Sequence, residues 1–183
     1  ERTALNFLAH LSGIATLTAR YVQRAAPCGV QILDTRKTTA GWRELEKYAV
    51  TVGGGKNHRF SLRDAVLIKD NHLMLSESLE KAVAKAREYA SPVVKIEVEV
   101  SSLEQVEEAL RAKADIIMLD NMDLPAMEKA VKMIAKRALV EASGGVNLET
   151  VESIAACGVD FISVGALTHS APAIDLSMRV VPG

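Results

Sequence analysis

The chain has 183 residues, a net charge of −1 and no basic run. That is the size of one domain, and it excludes general nucleic-acid binding, which needs a cationic footprint. With 49% apolar and 25% charged residues, the composition is that of a globular domain. No apolar run approaches the roughly 18 residues of a membrane span and no signal peptide is visible, so a cytoplasmic protein is expected.

The chain opens at Glu1 on what already reads as helix, so an N-terminal region is expected to be missing. Thr3 to about Val22 has the helical period, with Ala4, Leu8, Leu11 and Ala15 on one face. Gly13 inside this stretch predicts close packing. Short apolar, β-branched runs then follow: Val30–Leu33, Ala65–Ile68, Val94–Val100, Ile116–Leu119, Leu139–Ala142 and Phe161–Val164. These predict strands.

Amphipathic stretches separate the later runs. Ser76 is the expected cap of a helix over Glu77–Tyr89. Ser101 and Glu104 form an expected capping box. Asp123 should cap the helix carrying Met127, Val131 and Ile134, and Asn147 should start one over Leu148–Ala156 that ends before Gly158. Repeated β-α-β with helix-length crossovers implies parallel strands. The fold class expected is α/β, an incomplete parallel barrel, since six strands are visible where a full barrel has eight. The run Lys95–Val100 fits, because Lys95, Glu97 and Glu99 would face the barrel mouth while Ile96, Val98 and Val100 pack under helices.

Chemistry-bearing residues follow each run. After Leu33 comes Asp34-Thr35-Arg36-Lys37-Thr38, and after Ile68 comes Lys69-Asp70-Asn71-His72. Glu99 ends the third run and Asp120-Asn121 follow the fourth. Ser143-Gly144-Gly145 follow the fifth, and Gly165 to His169 the sixth. In parallel α/β folds the C-terminal strand ends share one side, and that side carries the site. Arg36, Lys37, His58, Arg59 and Lys69 would then gather around a polyanion, guanidinium forks matching carboxylate or phosphate.

Ser143-Gly144-Gly145 ahead of a helix, with Gly165 and Ala166 beyond the next strand, predicts a phosphate cradle. Gly53-Gly54-Gly55-Lys56-Asn57 lacks Walker spacing and predicts a flexible loop presenting His58 and Arg59. Glu99 and Asp120 could hold a divalent metal, bind sugar hydroxyls or stabilise positive charge on a sugar carbon. Salt bridges to Lys95 or Lys69 are the alternative. His10 reads as a packing residue and His72 as a backbone cap. Cys28 and Cys157 lack metal spacing and read as free thiols.

The ordered strings Asp34-Thr35-Arg36-Lys37-Thr38, Gly53 to Arg59, Ile68 to His72, Glu97-Val98-Glu99-Val100, Leu119-Asp120-Asn121, Ser143-Gly144-Gly145 and Val164 to Ser170 resemble quinolinate phosphoribosyltransferase. So do Glu1 to Asn6, His10 to Thr16 and Glu46 to Val50. The resemblance implies an incomplete α/β barrel over 1–183, led by a helix over 1–22, with the family's N-terminal α+β domain largely absent. It implies a homodimer or larger assembly and Mg²⁺-dependent transfer from phosphoribosyl pyrophosphate to quinolinate with decarboxylation. By the same resemblance, Arg2 (from a neighbouring subunit), Arg36, His58, Arg59 and Lys69 bind quinolinate. Lys37, Glu99, Asp120, Ser143, Gly144, Gly145, Gly165 and His169 surround phosphoribosyl pyrophosphate. Lys37, Lys69, Glu99 and Asp120 are the implied catalytic set, and Glu99 and Asp120 the metal ligands, directly or through water.

Overall fold

A computed structural model describes residues 1–181. Six parallel strands form one sheet: β1 (Gln31–Leu33), β2 (Val66–Ile68), β3 (Ile96–Val100), β4 (Ile116–Asp120), β5 (Leu139–Ser143) and β6 (Phe161–Ser163). Their order is β1-β6-β5-β4-β3-β2. Each strand from β3 to β6 therefore lies beside its predecessor, and the order never reverses as it does in a doubly wound sheet. The sheet curls in one sense into a barrel, and among the described residues no ladder joins β1 to β2.

Side-chain alternation fixes what each face does. Ile96, Val98, Val100, Ile117, Leu119, Val140, Ala142, Ile162 and Val164 face outward into the main apolar core. There they meet Val83 of α4 (Leu79–Tyr89), Val106 and Ala109 of α5 (Leu103–Arg111), and Met127, Ala130 and Ile134 of α6 (Leu124–Ile134). Burying one such Val, Leu or Ile contributes about 1.5–3 kcal/mol. The inward positions are different: Leu67, Glu97, Glu99, Met118, Asp120, Glu141, Ser143 and Ser163. The expected charged face of the third strand is thus correct for Glu97 and Glu99, while Lys95 before it is exposed.

The leading helix α1 spans Arg2–Ala25, three residues longer than expected at its C-terminal end. Its buried residues are Leu5, Gly13, Ile14, Thr18, Tyr21 and Ala25, not the predicted Ala4, Leu8, Leu11 and Ala15 stripe. The reason is that close backbone approach, not apolar content, orients it. A Cβ on Gly13 would overlap the Pro172 carbonyl, and one on Gly53 would overlap Thr18 and the Ala15 carbonyl. Leu8 is left 55% exposed, and Phe7 stacks on Trp42 at 4.4 Å between ring centres.

Two caps also shift. Ser78 rather than Ser76 caps α4, accepting from the Lys81 N–H at 3.2 Å. Ser102 rather than Ser101 caps α5, accepting from the Gln105 N–H at 3.3 Å, while Gln105 accepts from the Ser101 N–H at 2.8 Å. Asp123 caps α6 as expected. The helix expected from Leu148 begins only at Val151, as α7 (Val151–Ala156). Asn147 Oδ1 accepts from the Glu149 and Thr150 N–H groups in a local turn and delays it.

Candidate active site

At the C-terminal strand ends lies a cavity of about 740 Å³, within the range of small-molecule sites. Arg36, Lys37, His58, Arg59, Lys69, Glu99, Asp120, Ser143, Gly144, Gly145, Gly165 and His169 all line it. Arg2, in the first turn of α1, lies outside that lining.

The cationic wall is built on a buried ion pair. Lys47, from α2 (Arg43–Val52), meets Asp34 just past β1 at 2.5 Å, with the two side chains 1% and 0% exposed. Lys47 also donates to the His58 carbonyl, and Asp34 Oδ1 accepts from the His58 N–H at 2.9 Å. Burial pushes the Asp34 carboxyl up, against the pull of Lys47 and His58. The segment before His58 is correspondingly ordered rather than the expected flexible loop. The Lys56 N–H donates to the Ile32 carbonyl and the Asp34 N–H to the Lys56 carbonyl. Gly55 lies so close to Thr18 and Val50 that a Cβ would overlap both.

That frame aims the guanidinium groups. Arg59 donates to the Ala65 carbonyl at 3.1 Å. Burial pulls its guanidinium below the usual range, the Arg36 charge adds to this, and Glu97 opposes it. Two like-charged forks thus sit near each other, and the buried Arg36 Nε has no partner. An anion between them would supply the missing acceptor and relieve the repulsion. Lys69 pairs with Glu99, which is one of the two salt bridges considered for that glutamate.

His58, expected to bind quinolinate, lines the cavity and is also held by the protein itself. Its Nδ1 accepts from the Arg59 N–H at 2.8 Å, so Nε2 carries the proton, and Nε2 lies 3.1 Å from Glu97. Both ring nitrogens are engaged within the protein. His10 bonds Glu46 at 2.8 Å and packs edge-on against Trp42, and His72 accepts from the Lys69 N–H at 2.9 Å.

Opposite the cations, Gly144 and Gly145 both have positive φ, at 88° and 61°. A Cβ on Gly144 would overlap the Asn121 side chain, whereas one on Gly145 would meet open space. Asn121 itself has φ of 53° and donates to Asp120 Oδ2 at 2.8 Å. The cradle is therefore a glycine turn against Asn121, and the predicted adjoining helix N-terminus is displaced to Thr150. Past the neighbouring strand β6, a Cβ on Gly165 would be 3.2 Å from His169 Nε2 and 3.4 Å from the Lys37 side chain. Thr168 donates to the Lys37 carbonyl at 2.7 Å.

Sequence reasoning gave no site role to Glu97, Glu141 or Ser163; Glu141 and Ser163 line the cavity floor and Glu97 is buried behind it. Glu97, Glu141 and Ser163 are 3%, 1% and 4% exposed. Glu141 lay inside a run read as apolar; its inward register, two positions before Ser143, was the available signal. For a metal, the two carboxylates Glu99 and Asp120 on the cavity wall offer the hard oxygen donors that Mg²⁺ takes alongside substrate phosphates. His58, Glu97 and Glu141 also bring ligand atoms within 4.8 Å of one another, but His58 Nε2 has no lone pair to give in this arrangement.

The family model described as quinolinate phosphoribosyl transferase, C-terminal domain, matches residues 14–179. A Synechocystis sp. protein named probable nicotinate-nucleotide pyrophosphorylase [carboxylating] is 49% identical over 184 residues, covering 99% of this chain and 62% of that relative. The Rattus norvegicus nicotinate-nucleotide pyrophosphorylase [carboxylating] is 44% identical over 185 residues, covering 98% and 62%. The crystal structure of NadC from Streptococcus pyogenes superposes with a TM-score of 0.94 at 51% identity, covering 98% of this chain and 63% of that one. The chain thus spans 62% of the length of these curated relatives. Fold, cavity and sequence agree, and the chain belongs to the quinolinate phosphoribosyl transferase family through its C-terminal barrel domain.

Proposed function

We propose that this barrel is the catalytic domain of an enzyme of NAD biosynthesis that transfers the phosphoribosyl group of phosphoribosyl pyrophosphate to quinolinate with decarboxylation. The products are nicotinate mononucleotide, pyrophosphate and carbon dioxide. The observation that carries the reading is one cavity lined by Arg36, Lys37, Arg59 and Lys69, with an unpartnered Arg36 N–H, together with the carboxylates Glu99 and Asp120 and the glycine turn Gly144-Gly145. Arg36, Arg59 and Lys69 hold the two carboxylates of quinolinate, with His58 fixing the Arg59 backbone. Lys37, Ser143, Gly144, Gly145, Gly165 and His169 hold the sugar phosphates. Glu99 and Asp120 face the ribose, where positive charge develops as pyrophosphate leaves; fixed carboxylates stabilise that charge without reorganising. Mg²⁺ bound by these carboxylates and the pyrophosphate would neutralise the leaving group.

The working assembly in this reading is a cytoplasmic homodimer or larger homo-oligomer, with Arg2 completing the partner subunit's site. Analytical ultracentrifugation with Arg2→Ala tests that part. A dimer whose activity survives the substitution rejects the role of Arg2.

Pyrophosphate release with quinolinate should greatly exceed that with nicotinate, which has one carboxylate and leaves a guanidinium unpaired. Equal rates reject the assignment. Arg59→Ala should raise the KM for quinolinate roughly tenfold or more, the loss of one charge-assisted hydrogen bond, with a smaller effect on phosphoribosyl pyrophosphate. A barrel lyase using Lys37 or Lys69 as a Schiff base is the competing chemistry. Borohydride trapping of a lysine adduct with a carbonyl substrate would favour it.

A further inference from the structure

Glu141 stands on the cavity floor with no part in the scheme above. It points inward from β5, is 1% exposed and lines the cavity. One of its oxygens lies 3.6 Å from His58 Nε2, and the other, Oε1, has no hydrogen-bond partner. Glu97 from β3 faces it, and its Oε1 is also without a partner. Two adjacent carboxylates in a low-dielectric site cannot both stay ionised. Glu97 is the one nearer His58 Nε2, at 3.1 Å, and it also feels the Arg59 charge. The proton therefore resides on Glu141. Burial and the Glu97 charge hold its carboxyl well above the usual carboxylate range, with Ser163 and the more distant Lys69 opposing.

A divalent cation at the same three groups is the competing reading, and the geometry disfavours it. The Arg59 N–H occupies the His58 Nδ1 lone pair, so Nε2 bears hydrogen and cannot ligate. Arg59 and Lys69 already place positive charge on this side of the cavity.

We propose that Glu141 is the proton donor for decarboxylation, its carboxylic acid protonating the ring carbon that carbon dioxide leaves. The proposal rests on the transfer reading given above. The bond from the ring to its carboxylate breaks, carbon dioxide departs, and the electron pair stays on the carbon beside the cationic ring nitrogen. The Glu141 O–H bond breaks as the new C–H bond forms; without that proton the electron pair on carbon recaptures carbon dioxide before it escapes, so loss of the acid slows net carbon dioxide release. Glu141 is left as a carboxylate facing Glu97, and takes a proton from water once the product has gone. Until that step the floor bears a neutral acid that does not repel a dianionic ring. Among the other cavity N–H groups, Lys69 is paired with Glu99 and His58 Nε2 faces Glu97, Lys37 and His169 stand beside Gly165 at the proposed phosphate end, and guanidinium is too weak an acid to give up its proton readily.

The test follows pyrophosphate and carbon dioxide release separately in the same reaction, for the wild-type protein, Glu141→Gln and Glu141→Asp. The expected result for Glu141→Gln is pyrophosphate release close to wild type and carbon dioxide release reduced roughly a hundredfold, the scale of general acid catalysis. Glu141→Asp, still an acid, should recover part of that loss. Equal loss of both products, or loss of neither, overturns the proposal and leaves the transfer reading standing. Absence of quinolinate-dependent pyrophosphate release from the wild type removes both. Infrared difference spectra supply a readout without turnover: a protonated-carboxyl C=O stretch at neutral pH, lost in Glu141→Gln. Absence of that band in the wild type also overturns the proposal.

Discussion

The rim and the floor of the cavity are built from the same strands by opposite means. At the rim, charged residues lie at or just beyond the strand ends and are aimed by polar contacts: Asp34 with Lys47, Lys69 with Glu99, Asn121 with Asp120. At and behind the floor, Glu141 and Glu97 stand in the interior of the strands, positioned by sheet register, and their Oε1 atoms have no partner. The rim is held by polar contacts that stabilise it; the floor keeps polar groups that burial makes unfavourable. A site whose floor costs stability while its rim adds to it concentrates its sacrifice where chemistry is proposed.

The sharpest challenge to this contrast is Asp34→Asn, which removes the countercharge of a fully buried lysine. Losing one partner of a buried pair costs about 3–5 kcal/mol, so chemical denaturation should show a loss of that size. A change below about 1 kcal/mol would mean that the rim is not held by this pair.

Next come two alanine substitutions in the glycine turn. Gly144→Ala meets both a left-handed backbone and the Asn121 side chain, whereas Gly145→Ala meets the backbone penalty alone. That penalty is roughly 1–2 kcal/mol. Gly144→Ala should lose more stability and also weaken phosphoribosyl pyrophosphate binding through displaced Asn121. Equal effects in calorimetry and titration would show that Asn121 yields without consequence.

The smallest effect has the opposite sign. Glu141 is held protonated in the folded protein above its unfolded value of about 4.3. Across the interval between those two values the folded state binds the extra proton, so stability falls as pH rises through it and the cost persists above it. Below about pH 4.3 both states are protonated and the cost vanishes. Glu141→Gln should therefore melt higher than wild type at neutral pH, with the gap closing as pH falls toward that value. Parallel melting curves across pH would contradict a protonated Glu141.

The rim was legible in the sequence because its charges interrupt apolar runs where strands must end. Arg36, Lys69 and Asp120 each announce a strand terminus and a site together. The floor was hidden because Glu141 sits in the middle of Leu139–Ala142, where four residues cannot reveal which side chains face inward. The register that exposes it comes from pairing, Met118 opposite Glu141 and Asp120 opposite Ser143. Nearby serines, Ser76 for Ser78 and Ser101 for Ser102, blurred the two caps, since either hydroxyl of such a pair could serve. The burial face of α1 was illegible for another reason. Glycines far along the chain, Gly53 and Gly55, decide how closely Thr18 can approach.

The strand order has a consequence in time as well as space. β1 pairs with β6, Gln31 opposite Phe161 and Leu33 opposite Ser163, so the first of the six strands has its ladder partner in the last. During synthesis α1 and β1 must wait for nearly the whole chain before the sheet can receive them. Long-range pairing of this kind slows folding and lengthens the exposure of apolar surface. The apolar side of β1, centred on Ile32, is thus among the last surfaces that the completed sheet covers.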